Sequence, residues 1–151
     1  MKRATYLVLA ALMVLAALGT ASVWPAAANA QGAGWRGEYF PNVFLAGTPV
    51  LVRSEGAINY DWGLGSPDAR VPADNFSARW TRTTFFDAGR YRFTVQVDDG
   101  ARLYIDGQTV IDEWRVQSVR NFSTEVNLSA GNHSIQMDYF EAGGGAAARL
   151  W

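Results

Sequence analysis

What most constrains the fold of this chain is a two-residue alternation that recurs after residue 30 and is clearest at residues 90–97. Tyr91, Phe93, Val95 and Val97 fall on one face there, and Arg90, Arg92, Thr94 and Gln96 on the other. That is the period of a half-buried strand. Val97 runs into Asp98-Asp99-Gly100, and Leu103 and Ile105 resume the alternation before Asp106-Gly107, a strong two-residue hairpin signal. Asp98 and Asp99 therefore stand between the end of one strand and the start of the next. Adjacent carboxylates held there are hard oxygen ligands of the kind Ca²⁺ takes. The plainer reading of Asp99-Gly100 alone is a turn.

No segment after residue 30 has a helical period. Strands are expected at 36–40, 48–53, 57–61, 76–86, 90–97, 101–106, 109–113, 121–128, 132–141 and 146–151. Turn markers such as Pro41-Asn42, Asp87-Ala88-Gly89 and Ala130-Gly131-Asn132 separate them. Short strands punctuated in this way read as all-β, a single antiparallel β-barrel or sandwich. Residues 63–75 form the one long loop, and loops of that length are often functional or cap the end of a fold.

The first 30 residues read as a signal peptide of bacterial type. Lys2 and Arg3 precede an uncharged apolar run from Tyr6 to Leu18, and Pro25 and Ala28-Asn29-Ala30 supply the break and the cleavage pattern. Cleavage after Ala30 leaves one domain, 31–151, secreted or extracytoplasmic. The competing reading is an uncleaved anchor, since residues 4–28 carry no charge. No other segment is apolar enough to span a membrane, so no span is expected after cleavage. The chain has no cysteine, so disulfides, common in secreted domains, contribute nothing.

Composition narrows the function. Without Lys2 and Arg3, 11 basic residues remain against 14 acids, a net charge of −3. The arginines are scattered rather than striped, so no nucleic acid partner is expected. A zinc site or a Ser-His triad lacks materials, because the one histidine, His133, shares a strand face with Ile135 and Met137 and reads as packed or rim. No carboxylate pair is singled out for glycoside hydrolysis, and the chain is not expected to be an enzyme. Trp62, Trp80 and Trp151 read as packing residues. Trp114, after Ile111-Asp112-Glu113, reads first as core, with stacking on a sugar ring as the functional alternative.

An ordered series of fragments carries a family resemblance. Gly37-Glu38-Tyr39-Phe40 is followed by Ile58-Asn59-Tyr60-Asp61-Trp62-Gly63 and Asp74-Asn75-Phe76-Ser77-Ala78-Arg79-Trp80. Then come Gly89-Arg90-Tyr91-Arg92-Phe93-Thr94, Asp98-Asp99-Gly100, Ile111-Asp112-Glu113-Trp114, Gly144-Gly145-Ala146 and Leu150-Trp151. Over about residues 35–151 the chain resembles the PA14 domain family, the protective-antigen fourteen-kilodalton domain. The resemblance implies a lectin-like β-barrel or sandwich. It also implies that Asp98 and Asp99, joined by a cis peptide, hold Ca²⁺. Further ligands would come from the loop Phe140-Glu141-Ala142-Gly143-Gly144, with Glu141 where sugar-binding members often carry Asn. The ligand-binding set is then Asp98, Asp99, Trp114, Gly143 and Gly144, and the partner a glycan or polysaccharide. The alternative is a structural or protein-interaction domain that binds no sugar, since fold alone does not establish function.

Overall fold

The computed structural model describes residues 34–151. The expected leader, its cleavage after Ala30 and the first three residues beyond it lie outside the described residues. Ten strands follow in order: β1 (Trp35–Phe40), β2 (Leu51–Glu55), β3 (Asn59–Gly63), β4 (Phe76–Phe86) and β5 (Gly89–Asp98), then β6 (Gly100–Ile105), β7 (Gln108–Glu113), β8 (Arg120–Leu128), β9 (Gly131–Glu141) and β10 (Ala146–Leu150). They form two antiparallel sheets, a six-stranded one in the order β2-β1-β4-β9-β6-β7 and a four-stranded one in the order β3-β10-β5-β8. Neither sheet closes on itself. Of the two expected architectures the molecule is thus the sandwich and not the barrel.

The alternation of β5 does what the sequence predicts. Phe93, Val95 and Val97 are buried between the sheets, each contributing about 1.5–3 kcal/mol of apolar burial. β9 supplies Ile135, Met137 and Tyr139 from the opposite sheet. Aromatic rings fill the centre: Trp80 packs against Tyr39, Tyr60 and Tyr139, and Trp62 stacks on Tyr60 and meets Phe76. Trp62 and Trp80 are packing residues, as expected. Trp151 is not: it is 59 % exposed, because the last strand stops at Leu150 and only the Trp151 backbone continues pairing, with Thr94.

One turn follows directly from backbone chemistry. Asp106 and Gly107 both take positive φ, 52° and 77°, the geometry of the tight hairpin that joins β6 to β7. Beside that hairpin, His133 Nδ1 lies 2.5 Å from Asp106 Oδ2 and its Nε2 lies 3.0 Å from the Ser129 carbonyl oxygen. The histidine is therefore a packed rim residue that ties two turns together. With acceptors facing both ring nitrogens, the imidazolium is favoured, and the Asp106 carboxylate, then the Ser129 carbonyl, raise its pKa. A histidine with a raised folded pKa stabilises fully below the ordinary value of about 6.5, and the contribution is lost as pH rises through the folded value. Urea denaturation should accordingly show the wild type losing its advantage over His133→Gln as pH is raised from about 6 to about 8. An advantage independent of pH would contradict this reading.

Candidate functional site at one end of the sandwich

The chain passes between the two sheets at four places that gather at one end. The Asp98–Asp99 link joins β5 in the four-stranded sheet to β6 in the six-stranded one. Residues 142–145 carry β9 back to β10, residues 114–119 carry β7 to β8, and residues 64–75 carry β3 to β4. Hydrogen bonds join these segments. Gln117 donates its backbone N–H to Asp99 Oδ1 (3.0 Å) and its side-chain amide to the Asp99 carbonyl (3.1 Å). Val119 N–H reaches Asp98 Oδ2 at 3.2 Å, and Ala142 N–H reaches Asp99 Oδ2 at 2.9 Å. Gly144 N–H points at Asp74 Oδ1 in the long loop, 3.3 Å away. Val71 from the same loop is buried against the core, so this loop both caps the sandwich and touches the site.

The peptide between Asp98 and Asp99 is cis, as the resemblance implies. Gly100 follows it for a packing reason. A Cβ there would stand 2.2 Å from Phe140 Cε1 and 2.9 Å from the Arg115 backbone nitrogen, closer than side chains tolerate. Glycine thus lets both the Phe140 ring and the 114–119 segment pack close to this backbone.

Glu141 completes the arrangement. Its side chain is fully buried at the end of β9. Oε1 makes no hydrogen bond of ordinary geometry, although the Gly143 backbone N–H is turned toward the carboxylate and partly offsets the rise in its pKa. Oε2 lies 3.3 Å from the Tyr139 hydroxyl, whose one proton has the Asp98 carbonyl oxygen closer, at 2.5 Å. Burial, followed by the Asp99 carboxylate, pushes the Glu141 pKa up to about 7, and Asp98 adds to the rise. Burial and Asp99 likewise raise Asp98. No ion pair among the described residues involves any of the three carboxylates, although nine of the described arginines are so paired. A buried carboxylate oxygen without a donor is costly unless something compensates it, and a hard cation is suited to these oxygen donors. The side chains do not form a finished cage: among the described residues no group of three or more His, Cys, Asp or Glu is gathered tightly enough to hold a metal by itself. A bound Ca²⁺ would need main-chain carbonyls and exogenous oxygens as well, which its shell of six to eight ligands accommodates.

The other expected residues divide. Gly143 and Gly144 are exposed beside Glu141, and Gly144 has φ of 103°, so the backbone of this loop is open to a ligand. Trp114 is half-buried and lies outside the sandwich core, which corrects the expectation of a core residue. Its ring packs on Phe140 (centroids 4.8 Å apart), and the Arg102 guanidinium lies 4.8 Å from its centroid. Phe140 and Arg102 therefore occupy part of the surface it would offer to a sugar. Asp112 pairs with Arg102 at 2.9 Å and does not extend the acidic group. Gln117 and Asp74 escaped sequence reasoning. Gln117 lies in a stretch without periodicity, and no local pattern announces that it will meet an aspartate 18 positions earlier.

Comparison with known proteins identifies the family and the fold. The PA14 domain family matches residues 31–150. Anti-sigma-I factor RsgI3 of Acetivibrio thermocellus is 37% identical over 124 residues, which cover 81% of this chain and 19% of that protein. A solved anti-sigma factor domain-containing protein superposes with a TM-score of 0.73 at 35% identity, over 78% of this chain and 41% of the other. The chain thus spans about a fifth of the first relative and less than half of the second. A structure described as the PA14 sugar-binding domain from an RTX adhesin shares the fold, with a TM-score of 0.66 at 22% identity over 78% of this chain and 87% of that one. No helix among the described residues is long and apolar enough to cross a membrane. The chain belongs to the PA14 domain family.

Proposed function

We propose that the chain is an exported carbohydrate-binding module that meets its glycan through a Ca²⁺ held by Asp98, Asp99 and Glu141. The observation that carries this reading is the buried Glu141 carboxylate, whose Oε1 makes no hydrogen bond of ordinary geometry and which sits beside two further carboxylates that no arginine neutralises. When bound, the cation supplies coordination positions that sugar hydroxyls can take. The protein's part is to hold the oxygens. Gln117 and Ala142 fix the Asp99 carboxylate, Val119 fixes that of Asp98, and the side-chain-free Gly143-Gly144 backbone leaves room for the ligand. The reading assigns binding and no catalysis, and export rests on the leader at 1–30.

A second reading has its own observation. Leu64, Val116 and Val119 are exposed on the segments around the carboxylates, Leu64 at 83 %. They would suit a protein partner, and two of the relatives bear anti-sigma factor names.

NMR titration of the Ca²⁺-loaded protein with a panel of monosaccharides and oligosaccharides separates the two. The module reading expects shifts near residues 98–100 and 140–145 that a chelator abolishes. Dissociation constants should lie in about the millimolar to micromolar range for so small a contact. If Ca²⁺ binds and no sugar moves these resonances, the metal is structural and the interaction-domain reading takes its place.

A further inference from the structure

The outer face of the six-stranded sheet carries a second feature, far from the carboxylates. A cavity of about 490 Å³ lies over β4, β6 and β9, lined by Thr81, Thr83, Tyr104, Ser134 and Gln136, together with Arg82, Ile135 and Gly107. Its size falls within the range of small-molecule sites. Strand alternation decides what it presents. Ile135 is buried in the core and pairs with Arg82 across β4 and β9, so strand alternation places both in the inward-facing set, and the half-exposed Arg82 is the one charged residue of the lining. The outward-facing walls are then hydroxyls and an amide: Thr81, Thr83, Ser134, Tyr104 and Gln136. Each can donate or accept, and none is charged at neutral pH.

Hydrogen bonds and an ion pair hold this face still. Arg79 and Asp138, on the same outward set, pair through two bonds of 2.7 Å. Gln136 donates its amide to Asp138 Oδ1 at 3.0 Å, which orients the side chain and leaves its carbonyl oxygen to accept. Tyr104 brings to the lining an aromatic ring and a hydroxyl that also meets the Arg102 guanidinium, an amphipathic group with an apolar body and a polar end. Five register positions of β9 separate Gln136 from Glu141, about 17 Å of strand, so the cavity and the carboxylate end are separate sites on one molecule.

We infer that this cavity is a second, calcium-independent glycan site, which takes a neutral sugar unit through Thr81, Thr83, Tyr104, Ser134 and Gln136. A ligand dense in hydroxyls matches a wall of hydroxyls and an amide, each able to donate and accept. The site stands independently of the Ca²⁺ reading. A polysaccharide long enough to reach both ends would bind more tightly than either site alone.

The test uses neutral hexasaccharides of β-glucan, α-glucan, xylan and mannan, titrated by NMR with chelator present. At least one should shift the resonances of Thr81, Thr83, Tyr104, Ser134 and Gln136. The shifts should persist in Asp98→Asn with Asp99→Asn, which separates this site from the other. Gln136→Ala and Tyr104→Phe, both surface changes, should each weaken that binding about tenfold or more. If no hexasaccharide shifts these residues, or if the shifts vanish with the chelator, the inference is overturned. Unchanged affinity in both variants would overturn it as well.

Discussion

Replacing Trp80 with alanine is expected to cost more stability than any other single change considered. The ring is fully buried at the junction of the two sheets and meets Tyr39, Tyr60 and Tyr139. Removing a buried Trp costs about 3–5 kcal/mol. A second loss follows, because Trp80 Nε1–H donates to Glu55 Oε2 inside the protein. The carboxylate would keep Tyr39 and Arg53 on its other oxygen, and an unmet acceptor costs about 1–3 kcal/mol more. Against a total of about 5–15 kcal/mol for a typical domain, Trp80→Ala should leave much of the chain unfolded at 37 °C. Trp80→Phe keeps most of the volume and removes the donor, so it should lose mainly the smaller term. Urea denaturation of the two variants measures both. A loss for Trp80→Ala within about 0.5 kcal/mol, the range of an ordinary surface change, would contradict this account of the core.

The fold was legible where alternation was clean, and blurred where polar residues serve inside. All ten strands were anticipated, and β4 was placed to the residue. The second strand was expected at 48–53 and lies at Leu51–Glu55. Thr48 and Pro49, after Gly47 with φ of 79°, belong to the turn, whereas Arg53 and Glu55 look like solvent residues and instead reach Tyr39 and Trp80. The third strand slips the same way, from 57–61 to Asn59–Gly63. Barrel and sandwich could not be told apart, because alternation gives each strand two faces and does not give the order β2-β1-β4-β9-β6-β7. That order comes from pairings such as β1 with β4 and β6 with β9, between segments far apart in sequence.

The candidate site divides similarly. Asp98-Asp99 stood out because two charges interrupt an apolar rhythm, and Glu141 entered only through the family resemblance. The donors that hold the aspartates are mostly backbone N–H groups, from Gln117, Val119 and Ala142. Every residue but proline carries that donor, so no residue type marks where it is used. The unmatched oxygen of Glu141 is likewise a property of three dimensions. In sequence, a glutamate at a strand end before three glycines reads as a turn.

The most direct test of the account is thermal denaturation in millimolar Ca²⁺ and in chelator. Extracellular Ca²⁺ modules commonly have dissociation constants of about 10⁻⁴–10⁻³ M. At roughly tenfold excess over that constant, binding adds about 1.4 kcal/mol, which for a domain of this size is a rise of several degrees in Tm. The cation should oppose the mutual repulsion of Asp98, Asp99 and Glu141, so the gain should depend on all three. Asp98→Asn with Asp99→Asn should abolish it. Glu141→Gln, which keeps the shape of the side chain and removes its charge, should abolish or sharply reduce it in a protein whose backbone bonds to Asp99 are intact. The account predicts a Tm raised by Ca²⁺ in the wild type and lost in both variants; superimposable wild-type melting curves in Ca²⁺ and in chelator would contradict it.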